Sequence, residues 1–391
     1  MDLSTTTAPN VASAIETVAS HLHPTPSWDL ADHPMPKGLE EIWRFTPVRQ
    51  IRALLEEGDV LPGLEWQGDL PEGVEFLREP RERIHELAIE PPVDRVAAVA
   101  AARSAEALVM RIPAELEIEN AIVFTGTGNG GHAAESFIFD VGAAARVTLV
   151  LQFRGTGTYA AKYDIRVGDG AEVNLVCVND WDDDAVHAGQ VTVEVGRDAR
   201  VRTVQASLGG NIIRMVERAA YTSPGGELEQ FGLYFVDSGR HVEHRLFVDH
   251  NQPLSRSNID YRGALQDEGS LGVWVGDVLI RKQAEGISTY EANKNLLLTS
   301  GARAESIPNL EIATGQIEGA GHSSTTGRFD DEQLFYLRSR GIPEDEARRL
   351  VVQGFFVEIV RRIGIPEVAE RLMAAVQRQL DAIAPDWGAR E

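Results

Sequence analysis

Val141-Gly-Ala-Ala-Ala-Arg-Val147, Val167-Gly-Asp-Gly-Ala-Glu-Val173 and Val195-Gly-Arg-Asp-Ala-Arg-Val201 are copies of one heptad. A weaker fourth copy is Thr222-Ser-Pro-Gly-Gly-Glu-Leu228. The starts lie 26, 28 and 27 residues apart (167−141, 195−167, 222−195). Around the heptads stand short β-branched runs: Val147-Thr-Leu-Val-Leu-Gln-Phe153, Val173-Asn-Leu-Val-Cys-Val178 and Val191-Thr-Val-Glu-Val195. Each copy therefore reads as strand, turn, strand. A fixed period of this size is the signature of a solenoid. Units too short to bury their own apolar face stack and share one continuous core. Gly and Asp take the corner positions, and alternate side chains point inward. Weaker echoes are read at Leu265–Leu271 and Leu298–Ala304. The expectation is a mainly β protein whose residues 107–318 form a parallel β-helix. A Greek-key sandwich is the competing architecture, but sandwiches rarely repeat one turn so regularly.

Outward from this body the pattern changes on both sides. Residues 1–106 read as a mixed, largely helical region. Val11–Leu22 carries apolar residues at helical spacing, Pro24–Pro36 is proline-rich, Val48–Glu57 is amphipathic, and Val93–Ala105 is a connector or helix. Residues 319–391 read as a helical region. One helix spans Asp330–Arg340, with acidic residues in its first turn, and Gly341 closes it. Pro343 opens a second helix, through Ala347, Leu350 and Val351 toward Ile359, and Pro366–Ile383 forms a third.

The 391 residues carry a formal net charge of −23. That balance leaves no excess of Lys and Arg for phosphates, so nucleic acid and anionic membrane surfaces are disfavoured as partners. No apolar run is long enough for a transmembrane helix, and Met1–Ala19 lacks the marks of a signal peptide. The single cysteine, Cys177, rules out an intrachain disulfide and any cysteine-only metal site within one chain. It also fits a reducing, cytoplasmic setting.

Candidate chemistry is sparse. There is no phosphate-binding Gly-Lys loop, and Gly126-Thr-Gly-Asn-Gly-Gly131 lacks the lysine and reads as a turn. His241 and His244 stand three apart on a strand, face opposite sides, and read as surface or core-edge histidines. Asp180, Asp182, Asp183 and Asp184 lack calcium-loop spacing and read as a solvated loop. Cys177 faces the same way as Leu175 and reads as a core cysteine. His322, within Gly319-Ala-Gly-His-Ser-Ser-Thr-Thr-Gly327, reads as an exposed histidine where strands give way to helices. A solenoid carbohydrate-active enzyme is one alternative reading, but no carboxylate constellation for it can be assembled. A purely structural homodimeric solenoid is another.

The run from Asn295-Leu-Leu-Leu-Thr through Ile307-Pro-Asn-Leu-Glu-Ile to Gly321-His-Ser-Ser-Thr-Thr-Gly-Arg-Phe-Asp-Asp-Glu-Gln-Leu-Phe-Tyr-Leu-Arg-Ser-Arg-Gly-Ile342, followed by Ala347 and Val351-Val-Gln-Gly-Phe-Phe356, resembles the SufB/SufD family. Trp43-Arg-Phe-Thr-Pro47 resembles that family's N-terminal aromatic motif. Length and poverty in cysteine look like SufD more than SufB. The resemblance implies a right-handed parallel β-helix between helical regions and a scaffold for iron–sulfur cluster assembly rather than an enzyme. It implies a SufB-like paralogue as heterodimer partner and a SufC-like ATPase docked on the C-terminal helices. Leu334, Phe335, Leu350, Phe355 and Phe356 are the candidate core and docking residues there. A homodimer is expected when the partner is missing. His322 matches the family histidine that faces the SufB cysteine at the site of the nascent cluster. No cofactor is expected to stay bound to the isolated chain; iron or a cluster would be held transiently at the heterodimer interface. Two departures stand out. Ala320 occupies a position that is cysteine in many relatives, and Gly315-Gln316 replaces an acidic pair. The resemblance thus leaves the ligand set to His322 and the partner chain.

Overall fold

The computed structural model describes residues 24–328 and 331–387. The first elements are β1 (Glu65–Gln67), β2 (Glu75–Pro80), α1 (Ile84–Leu87), α2 (Arg95–Arg103) and β3 (Glu106–Ile112). Then come β4 (Ile122–Val141), β5 (Arg146–Val167), β6 (Glu172–Asn179), β7 (Val186–Val195), β8 (Arg200–Ser207), β9 (Ile212–Tyr221) and β10 (Glu227–Val236). The coil ends with β11 (His241–His250), β12 (Arg256–Leu265), β13 (Leu271–Ile280), β14 (Ser288–Leu297), β15 (Arg303–Ile312) and β16 (Gly319–Arg328). Helices α3 (Asp331–Ser339), α4 (Glu344–Ile363) and α5 (Pro366–Trp387) follow.

The early part of β5 pairs in parallel with β6 and its later part with β7. From there the strands alternate between two ladders. The first runs β5-β6-β8-β10-β12-β14-β16 and the second β5-β7-β9-β11-β13-β15. Every turn of chain places one strand on each, which is the expected parallel β-solenoid. Partners on the first ladder are 26, 28 and 27 residues apart over its first three steps (172−146, 200−172, 227−200). These are the heptad intervals, so the heptads are one corner of the coil.

That corner is a ladder in itself. Ala144, Gly170, Asp198, Gly225, Leu254 and Gly286 have φ of 55°, 68°, 51°, 85°, 59° and 69°. In this left-handed region an L side chain costs roughly 1–2 kcal/mol. The freed amides find partners one turn on. Ala144 N–H donates to Asp169 C=O (2.8 Å), Gly170 to Arg197 (2.8 Å), Leu254 to Glu285 (2.8 Å) and Gly286 to Gln316 (2.7 Å). The expected echoes at Leu265–Leu271 and Leu298–Ala304 belong to the opposite corner, between β12 and β13 and between β14 and β15. The true continuation runs through Asn251–Arg256 and Arg281–Ile287. It escapes the pattern because Leu254 takes the left-handed position and the interval lengthens to 29, 32 and 31 residues (256−227, 288−256, 319−288).

Inside, side chains stack in columns along the coil. One column is Leu151, Cys177, Gln205, Gly232, Tyr261, Asn293 and Ser324. Gly232 is required there, because a Cβ would stand 2.0 Å from the Tyr261 ring. Outside, the two ladders are covered by different ends of the chain. Trp43, Ile51, Leu54, Leu55, Val96 and Ala100 pack on Ala160, Ala188 and Ile212 of the second ladder. On the first, α4 and α5 lay Val352, Phe356, Ile359, Val360, Ile363, Leu372 and Val376 over Val176, Val204, Phe231 and Leu233.

Four expectations change. Residues 24–106 are less helical than the pattern implied: Val48–Glu57 holds a single 3₁₀ turn at Arg52–Leu54, and β1 and β2 join the sheet antiparallel. The Val11–Leu22 helix lies outside the described residues. Gly126–Gly131 is not a turn between elements but part of β4, where the strand crosses from one ladder to the other with a bulge between Asn129 and His132. Finally, the solenoid continues past residue 318, because Gly319–Arg328 pairs residue for residue with β14. Backbone pairing there overrides the poor strand propensity of a Gly-rich run.

Candidate functional site at the open end of the solenoid

β15 and β16 each have one ladder neighbour, β13 and β14 respectively. Their other edges present unpaired backbone donors and acceptors. Their residues are mostly half-buried or exposed, unlike the fully buried strands before them.

His322 is on β16, at the end of the inward column Leu149, Leu175, Thr203, Gln230, Ile259, Glu291, His322. Its Nδ1 lies 3.8 Å from Oε1 of Glu291; the histidine side chain is 43% exposed and the glutamate 1%. The Glu291 carboxyl reaches across the interior to the second ladder. A Cβ on Gly276 would stand 2.3 Å from its Oε2. Neither carboxyl oxygen has a hydrogen-bond partner. Burial, with the nearby charge of Asp277, pushes this acid up to about 9. Trp274 Nε1 and Ser306 Oγ, on opposed positions of β13 and β15, are also without partners. Ala320 is two residues before His322, on the same face, and packs on the interior cluster without offering a donor. Among the described residues no group of three or more His, Cys, Asp or Glu side chains could hold a metal ion.

Deeper in, the polar groups are satisfied. Glu217 accepts from the Tyr261 hydroxyl (3.0 Å) and sits 3.1 Å from Nδ1 of His244, whose Nε2 is 3.1 Å from Ser207 Oγ. Tyr234 donates to Asn295 (2.5 Å), and Asn295 donates to Asn293 (2.7 Å). Cys177 packs in the core with Leu175, as expected. Burial, reinforced by Glu217, pushes its thiol far above the ordinary range, so it is not a reactive thiolate.

His241 and His244 are buried structural groups, not surface ones. They serve separate carboxylates, His241 at 3.1 Å from Glu243 and His244 at 3.1 Å from Glu217. The aspartate run supplies tethers: Asp180 accepts from Arg378 (2.7 Å), Asp183 from Arg240 (2.7 Å), and Asp184 from Thr156. The Trp43–Pro47 motif is an anchor. The Arg214 guanidinium lies 4.1 Å from the centre of the Trp43 ring. Thr46 donates to Glu243 (2.8 Å) and Arg214 donates to Asp94 (2.7 Å). Despite burial, His241, Arg214 and Arg245 hold Glu243 well below the usual carboxylate range. Sequence reasoning missed Asp94, Arg214 and Glu243 because their partners are far away along the chain.

The five candidate docking residues separate. Phe356 is fully buried against the first ladder, Leu334 is buried, and Phe355 is half-buried beside Arg262. These three hold the helices in place and are not free to dock. Arg262 donates to Glu358 of α4 (2.7 Å), and Arg362 donates to Asp260. Phe335 (74%) and Leu350 (42%) remain exposed, together with Tyr336 (56%). Among the described residues no helix is long and apolar enough to cross a membrane.

The family model "SUF system FeS cluster assembly, SufBD core domain" matches residues 124–355. An iron–sulfur cluster assembly SufBD family protein of Mycobacterium bovis is 44% identical over 388 residues, covering 96% of this chain and 97% of that one. The SufD protein of Escherichia coli is 24% identical over 220 residues, 56% of this chain and 52% of that protein. The SufD protein of Bacillus subtilis is 33% identical over 133 residues, 34% and 30% respectively. With its core matched from the first long strand into α4, and a relative aligned over nearly the whole length, the chain belongs to the SufBD family of the SUF iron–sulfur cluster assembly system.

Proposed function

We propose that this chain is a D-type, non-catalytic scaffold subunit working in the cytoplasm. It pairs with a SufB-like paralogue through the open end of its solenoid and binds a SufC-like ATPase through α3 and α4. The observation that carries this reading is the last turn of the coil. Two adjacent strands stop without a next turn, and a half-exposed histidine stands among unpartnered interior groups. A second solenoid end supplies what such edges lack, namely a further row of backbone partners. His322 supplies an imidazole nitrogen to iron or a nascent cluster, which is substrate here and is held only while the subunits are joined. The ATPase meets Phe335, Tyr336 and Leu350, the apolar side chains that the helices leave in solvent. Its dimerisation on ATP pulls on the helices and biases the solenoid interface between two arrangements.

The test is co-expression with SufB- and SufC-like chains, purification through a tag on this chain, and anaerobic loading with iron and sulfide. A ternary complex whose visible cluster absorption falls in His322→Ala supports the reading. If neither partner is retained, the reading fails. If the complex is retained and the absorption is unchanged, His322 has no part in holding iron.

A further inference from the structure

Buried carboxyls in this protein have partners wherever the interior is closed. Glu135 is met by Tyr159, Trp66 and the Leu64 amide. Glu217 is met by Tyr261 and His244, and Glu243 by Arg214, Arg245, His241 and Thr46. Glu291 differs: its side chain is 1% exposed and neither oxygen is hydrogen-bonded. Such a group costs stability unless something charged or polar completes it. Its environment has been shaped to admit it, because the carboxyl occupies the space that a side chain at residue 276 would take. The only basic group facing it is the ring of His322, directly opposite in the β14–β16 register, with Nδ1 toward the carboxyl at 3.8 Å.

We propose that Glu291 and His322 form a two-ligand half-site for a divalent transition-metal cation, Glu291 binding from inside the coil and His322 from its open edge. The proposal rests on the reading of His322 given above and extends it to a residue of the interior. Two donors each about 2.1 Å from one ion stand roughly 3.0–3.4 Å apart. A small rotation of the half-exposed imidazole closes the present 3.8 Å to that range. A carboxylate–imidazole pair suits ferrous iron, with water or a partner chain's donor filling the remaining positions. Ala320, on the same face, adds no thiolate, so this half of the site is built for an iron ion rather than for a sulfide-bridged cluster by itself.

The full chain is titrated anaerobically with Co²⁺, a spectroscopic probe for ferrous iron, and followed by visible absorption and calorimetry. Wild type is expected to bind one equivalent saturably. Glu291→Gln and His322→Ala are each expected to weaken that binding about tenfold or more. Glu291→Met serves as a second variant; it removes a buried unpartnered carboxyl, so it keeps the fold while losing the metal. No saturable binding by wild type, or equal binding by wild type and the folded Glu291 variants, overturns the half-site. Capture of the SufB-like partner is scored on the same samples. Cobalt binding without partner capture sinks the scaffold reading and keeps the half-site. Partner capture without cobalt binding does the reverse.

Discussion

The two ends of the solenoid are built on opposite plans. At the N-terminal end β1 lies antiparallel on β4 and β2 on β3, so the first turn is closed by the chain itself. The interior behind it is aromatic. Trp66 stacks at 5.3 Å on Phe124 and meets Phe137 and Phe153 edge-on, and Phe137 stacks on Phe139 at 4.2 Å. Every carboxyl oxygen of Glu135 there has a donor. At the C-terminal end no strand closes β15 and β16, the inward columns finish in Glu291, Asn293, Asn295 and His322, and several polar atoms have no partner. One end is optimised for stability. The other keeps groups that are costly in the isolated chain and useful only when something is added. This is the pattern expected where a functional surface is maintained against stability.

The contrast can be broken most forcefully at the closed end. Phe137→Ala, at a side chain with no exposure, is expected to destabilise the chain by ~3–5 kcal/mol in denaturant titration. His322→Ala at the open end is expected to change stability by less than about 0.5 kcal/mol. Comparable losses at both sites would erase the distinction. The helices give a second pair. Phe356→Ala should cost ~3 kcal/mol and loosen α4 from the first ladder, whereas Phe335→Ala should leave the melting curve alone and reduce retention of the ATPase. A smaller effect has the opposite sign. Glu291→Met should stabilise the chain by ~1 kcal/mol, read as a higher melting temperature, while impairing iron loading.

The smallest effect is a pH dependence. Burial raises Glu135 to about 7, against the donors Tyr159, Trp66 and Leu64. An acid with a raised folded value contributes stability that is fully present below its unfolded value near 4.5 and is lost as pH rises through about 7. Wild type should therefore lose stability relative to Glu135→Gln between pH 5 and 8. Melting curves of both proteins across that range would decide it, and a constant difference would show that Glu135 ionises normally.

How much of this could be read in advance depended on how local the cause was. The corner heptads are local: valines flank a turn whose left-handed residue is Gly or Asp, so period and fold were visible. Where Leu254 takes that position, the signal vanished although the backbone is the same. Cys177 followed from simple alternation along one strand. The pairing of Glu291 with His322 could not be seen, because residues 31 apart (322−291) become neighbours only once the ladder register is known. The same holds for Trp43 and Arg214, which meet across two elements from different ends of the chain. Phe335 and Phe356 look alike in sequence. Only the seating of α4 on the sheet separates an exposed side chain from a buried one.

Hydrogen–deuterium exchange of this chain, alone and with its SufB-like partner, tests the central claim most directly. The account predicts that protection rises in β15 and β16, at residues 303–312 and 319–328, while β1 to β4 are unchanged. Protection confined to the closed end, or a complex that leaves the last two strands exchanging as in the free chain, would contradict it.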